Sequence, residues 1–118
     1  MSLRSFKNAF SGIAAAFKGG SNIRFMSVCF ILIIPVSFIL GLSGIEWAVV
    51  LLCCAGVISL ELVNTAIEAA VDIKTLEYHP YAKKAKDVAA GAVFVFSIFS
   101  AVIGLIIFIP HIIKLFGW

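Results

Sequence analysis

The chain has 118 residues, 63% of them hydrophobic and 13% charged, with a formal net charge of +3 at pH 7. A soluble domain is roughly half apolar and a quarter charged, so this composition excludes a water-soluble globular protein and leaves one small membrane domain. Neither G-x-x-x-x-G-K-[ST] nor G-x-G-x-x-G occurs, which excludes the ordinary nucleotide-binding folds.

Residues 1–20, "MSLRSFKNAFSGIAAAFKGG", open the chain. Phe6, Phe10, Ile13 and Phe17 recur at helical spacing on one face, while Arg4, Lys7, Asn8, Ser11 and Lys18 lie mostly elsewhere. This pattern predicts an amphipathic helix lying along the headgroups and stopped by Gly19-Gly20-Ser21. It does not read as a secretory signal, because the apolar run begins late, contains Pro35 and has no small-residue cleavage site. A first span follows over 25–42, with the body "FMSVCFILIIPVSFIL" and a kink expected at Pro35.

"GLSGIEW" reads as a tight turn with Trp47 as an interface anchor. The second span covers 45–73, longer than a bilayer core needs, so its last turns should emerge on one side. "KTLEYHP" is a loop, and Pro80 is well placed in the first turn of the next helix. The third span covers 81–109, after which "PHIIKLFGW" lies at an interface. Cys29, Cys53 and Cys54 sit inside apolar runs without metal-ligand spacing and read as small hydrophobes. Glu46 reads as a solvated outer acid, and His79 and His111 as plain interface residues.

Orientation follows from the basic residues. Arg4, Lys7, Lys18, Arg24, Lys74, Lys83, Lys84 and Lys86 fall on one side and Lys114 alone on the other. The positive-inside rule then places the N-terminus and the second loop in the cytoplasm and the C-terminus outside.

The informative stretch is "ELVNTAIEAAVD", residues 61–72, on the tail of the second span. At 100° per residue, Glu61, Asn64, Glu68 and Asp72 fall within a sector of about 80°, with Thr65 beside it. Charged groups at membrane depth are costly and face protein or water. Eleven residues separate Glu61 from Asp72, about 16 Å at the helical rise, so the face forms a polar slot descending from the cytoplasmic surface. Lys83, Lys86 and Asp87 re-enter from that same side in "KKAKD". Carboxylates suit a divalent cation or proton abstraction, and lysines suit phosphate oxygens. Together they point to phosphoryl transfer from a nucleotide to a membrane-embedded alcohol. A hydrogen-bonding seam between helices is the bland alternative. It accounts readily for one Asn or Thr, and poorly for four aligned polar residues of which three are acidic.

"ELVNTAIEAAVD" followed by "HPYAKKAKDVAAGAV" resembles the prokaryotic diacylglycerol kinase family of small integral membrane lipid kinases, over nearly the whole chain. "IEW", "AAGAV" and "GLIIFIP" look closest to its undecaprenol kinase branch. The resemblance implies an all-α membrane protein, with a surface helix plus three transmembrane helices per chain. It also implies a homotrimer with shared active sites in the bacterial cytoplasmic membrane, recycling a polyprenyl carrier for the cell envelope. Ala66, Ala69 and Ala70, with Ala82, Ala85 and Ala89, offer the small faces such packing needs. By motif match, Glu61 is the general base on the lipid hydroxyl, and Asn64 helps hold the catalytic geometry. Glu68 binds Mg²⁺ or another divalent cation, and Asp72, Lys86 and Asp87 handle ATP. One departure stands out. The family usually carries a metal-binding Glu just after the surface helix, and counting back from Asn22 lands on Gly20, with no acid anywhere before Glu46. Weakened or rearranged metal binding is therefore expected.

The first functional reading is thus an ATP-dependent undecaprenol kinase, with diacylglycerol as the nearest alternative substrate. A proton-coupled transporter would explain a buried Glu. It leaves unexplained a stripe open to one side only and an apolar outer half of each span. A purely structural subunit would tolerate Glu61→Gln.

Overall fold

The computed structural model describes residues 1–19, 22–74 and 76–117; Gly20 and Ser21, and with them the rest of the expected helix stop, lie outside the described residues. Among the described residues four helices follow in order: α1 Leu3–Lys18, α2 Ile23–Leu40, α3 Gly44–Lys74 and α4 Pro80–Leu115. The last three are each long and apolar enough to cross a membrane.

Local chemistry sets the boundaries. Ser2 caps α1, its hydroxyl accepting from the Ser5 amide at 3.2 Å. On the apolar face of α1, Phe6, Phe10 and Ile13 stay exposed. Helix α2 continues through Pro35. In its last turns the buried Ser37 hydroxyl donates back to the Ile33 carbonyl at 2.8 Å. It ends where Gly41 turns left-handed (φ 71°), its amide and that of Leu42 closing on the Ser37 carbonyl.

Ser43 and Glu46 then form a reciprocal capping box. The Glu46 carboxylate accepts from the Ser43 amide at 2.9 Å and the Ser43 hydroxyl accepts from the Glu46 amide at 3.2 Å. Trp47 turns onto Phe38, ring centroids 4.7 Å apart, and so stitches α3 to the end of α2. At the head of α4, His79 Nδ1 accepts from the Tyr81 amide and Pro80 occupies the first turn, where its missing amide costs nothing. The final helix does not stop at Ile109; it runs through Pro110 to Leu115.

Short connections force α2, α3 and α4 into an up-down-up order. The start of α2, the tail of α3 and the head of α4 therefore share one end with α1. Helices α3 and α4 are the closest pair and α2 packs on them more lightly. Gly56 is what allows the close approach, because an added Cβ would stand inside the ring of Phe96. The core, Leu42, Val50 and Ile107 with Ile33, Trp47 and Phe108 around it, lies towards the end remote from α1. Between α2 and the α3–α4 pair runs an apolar groove of about 640 Å³, lined among others by Phe25, Val36, Val57, Ser100 and the three cysteines. Large apolar side chains cover the outside, as in Phe38, Leu52, Phe94, Phe99 and Ile106. A bilayer, not water, is the matching solvent for such a surface.

Candidate functional site

The polar face of α3 grades from dry to wet. Glu61 is 3% exposed and Asn64 7%, whereas Glu68 and Asp72 are exposed. A carboxylate that buried amid an apolar bundle is costly unless something is made of it. Thr65 turns inward in the helix, its hydroxyl donating to the Glu61 carbonyl at 2.9 Å. One turn along from Glu61, the Asn64 Nδ2 donates to Glu68 Oε1 at 3.1 Å. Its other end, Oδ1, is buried and has no partner among the described residues. Asn64 thus sits between the two carboxylates, tied to the outer one, with a spare acceptor held out of water.

Further along the face, Asp72 Oδ1 lies 2.6 Å from Lys86 Nζ, so the second turn of α4 closes over the last turn of α3. Asp87 pairs with Lys83 instead, at 2.5 Å and one helical turn back. The structure accordingly joins Asn64 to Glu68 and Lys86 to Asp72, leaves Glu61 deeper along the same helix face, and splits Lys86 from Asp87 by partner. The i,i+4 spacing of Lys83 and Asp87 is the signal in the sequence for this pairing.

Among the described residues no three His, Cys, Asp or Glu side chains converge into a metal-ligand set. The ligand atoms on the face are all oxygen: the carboxylates of Glu61, Glu68 and Asp72 and the buried Asn64 Oδ1, which has no partner among the described residues. That is the donor type a hard cation takes. Magnesium in particular is held by one or two carboxylates plus substrate phosphates rather than by a protein cage. The residues therefore fit a cation that arrives with a nucleotide.

The far end of the bundle departs from the reading given above. Glu46 is not merely solvated, and His111 is not a plain interface residue. His111 Nε2 lies 3.0 and 3.2 Å from the two Glu46 oxygens, with both side chains mostly covered. This link joins the head of α3 to α4 just past Pro110. Sixty-five residues separate the two, and no spacing in the sequence could have announced it.

Comparison with known proteins gives a consistent picture. The profile of the family described as prokaryotic diacylglycerol kinase matches residues 7–108. The chain is 44% identical over 109 residues to the undecaprenol kinase of Bacillus subtilis (strain 168), covering 92% of this chain and 89% of that protein. It is 41% identical over 85 residues to a diacylglycerol kinase of Pseudomonas aeruginosa, covering 72% and 69%. A diacylglycerol kinase of Synechocystis sp. is 37% identical over 114 residues, covering 96% of this chain and 65% of that protein.

Proposed function

The chain belongs to the prokaryotic diacylglycerol kinase family, and from that premise, a membrane lipid kinase with ATP as phosphoryl donor, we propose that its lipid substrate is undecaprenol. Similarity to an undecaprenol kinase across most of both chains supports this choice over diacylglycerol.

The buried Glu61 carboxylate carries the mechanistic reading. Glu61 takes the proton of the lipid hydroxyl as that oxygen attacks the γ-phosphorus and ADP leaves. A base at this depth meets the hydroxyl where a lipid presents it. Asn64 holds the geometry between Glu61 and Glu68 through its bond to the latter. Lys86 and Asp72 form a charged bracket at the mouth, and Lys86, Asp72 and Asp87 position the nucleotide and its phosphates. Glu68, with Asn64 Oδ1 near it, would hold Mg²⁺ on the nucleotide, where the cation supplies charge neutralisation on the phosphate oxygens.

The protein works as a homotrimer in the bacterial cytoplasmic membrane, N-terminus and site in the cytoplasm and C-terminus outside. The orientation rests on the placement of the Lys and Arg residues. Trimer assembly is supported by the exposure of Ala66, Ala69 and Ala70 beside the outer half of the polar face, where small residues permit a second helix to approach. Its single membrane domain comprises the surface helix α1, within residues 1–19, and spans 25–42, 45–73 and 81–109.

The test is phosphate transfer from ATP with Mg²⁺ in lipid-containing micelles, with undecaprenol and a diacylglycerol at equal mole fraction. Faster transfer to undecaprenol is expected, and faster transfer to diacylglycerol would reverse the assignment.

A further inference from the structure

Helix α1 is not left to lie wherever the membrane surface puts it. Arg24, in the first turn of α2, reaches back to its C-terminus. Its Nε donates to the Phe17 carbonyl at 2.6 Å and its Nη2 to the Lys18 carbonyl at 3.4 Å. Those carbonyls are among the four that a helix end leaves without intrahelical partners. A guanidinium there also meets the negative end of the helix dipole. The fork is specific in a way an ammonium is not, since two donors fixed in one plane address successive carbonyls.

The consequence is positional. With α1 held to α2, Ala16 and Ile23 become buried, at 5% and 0% exposure. Helix α1 also touches α3. Arg24 thereby ties α1 to the start of α2, the end of the bundle where the tail of α3 also lies, and on that tail Glu61 and Asn64 stay dry although Glu68 and Asp72 are wet. A kinase needs that dryness. If a water oxygen replaces the lipid oxygen, it bonds to the γ-phosphorus and the bond to the ADP oxygen breaks. Inorganic phosphate, ADP and a proton are the products, and no lipid is phosphorylated. Excluding water is what prevents this.

We infer that Arg24 is a positioning residue which latches α1 over the polar face of α3 and so keeps water from competing with the lipid hydroxyl. The inference rests on the site assignment made above. It identifies a further residue for the reaction, one that touches neither nucleotide nor lipid and acts through the backbone of α1.

The experiment uses the full chain in lipid nanodiscs with ATP, Mg²⁺ and undecaprenol, reading inorganic phosphate released per lipid phosphate formed. Arg24→Gln should raise that ratio at least fivefold. Arg24→Lys, which keeps the charge and loses the fork, should give an intermediate value. Lys18→Gln removes a charge from the same helix end without touching the two carbonyl bonds, and should leave the ratio unchanged. An unchanged ratio in both Arg24 variants, with thermal unfolding matching the parent, overturns the latch. If Arg24→Gln does not fold, the ratio in Arg24→Lys decides alone: a rise supports the latch and no rise overturns it. Glu61→Gln in parallel separates the two levels. Normal transfer in that variant removes the site assignment itself, while an inactive Glu61→Gln beside an unchanged Arg24 ratio removes only the latch.

Discussion

Lys86 Nζ and Asp72 Oδ1 meet at 2.6 Å, a bond that reaches across the turn between α3 and α4. The two side chains are 39% and 43% exposed, and ion pairs so accessible to water are worth about 0.2–1 kcal/mol. Such a pair is a weak device for holding helices together and a good one for presenting charge to a polyphosphate. Lys86→Met is therefore expected to lower stability by less than about 1 kcal/mol while raising the KM for ATP at least tenfold. The reversed pair Asp72→Lys with Lys86→Asp should regain the stability and not the activity. Thermal unfolding in micelles and initial rates against ATP read the two effects, and recovered activity in the reversed pair would make the contact structural.

Glu61→Gln keeps the volume and removes the basic oxygen. Turnover is expected to fall by about 10²–10⁴, the usual contribution of a positioned general base, with helix content and oligomeric state unchanged. Losing a buried carboxylate has no folding cost here, since the neutral amide is the easier group to bury. Normal kcat would remove Glu61 as the base.

The helices and the polar face were legible because each depends on local pattern. The spacing of Phe6, Phe10 and Ile13 defines α1, apolar runs define the later helices, and the common face of Glu61, Asn64, Glu68 and Asp72 is a matter of angle along one helix. Pairing across helices was not legible. Lys86 and Asp87 are neighbours in sequence, yet their side chains leave α4 about 100° apart, which is how one reaches Asp72 and the other Lys83. The Glu46–His111 link and the Arg24 cap depend on how two elements meet, and the amino-acid pattern of neither element encodes that. Helix α4 outruns the expected span of 81–109 and continues through Pro110 to Leu115, because an apolar surround favours continuing the helix past a single lost hydrogen bond.

Gly56 and Phe96 set how near α3 and α4 can come. Gly56→Ala forces the ring aside and should cost about 1–3 kcal/mol, the range for overpacking. Combining it with Phe96→Ala should cost less than the two changes summed, because the second removes the obstacle to the first. Additive losses in thermal unfolding would show that the ring moves freely.

His111 and Glu46 should be coupled by about 0.2–1 kcal/mol in a double-mutant cycle, given that solvent still reaches both. The pair lies at the end of the bundle opposite the polar face, so His111→Ala is expected to lower thermal stability slightly and leave kcat unchanged. A large fall in kcat would mean that the two ends communicate.

Gly20, outside the described residues, stands where the family resemblance calls for a metal-binding Glu, and no acid precedes Glu46. If Glu61 serves the lipid hydroxyl as proposed and a divalent cation rides in on the nucleotide, Glu68 and the phosphates must hold it with little further help from carboxylates. Magnesium tolerates so sparse a protein share, at the cost of affinity. Gly20→Glu should therefore lower the Mg²⁺ concentration for half-maximal activity several-fold while the preference between lipids stays the same. Rates measured against Mg²⁺ at saturating ATP read this directly. An unchanged Mg²⁺ dependence would show that Glu68 and the phosphates already suffice, and that the glycine costs this chain nothing in cation binding.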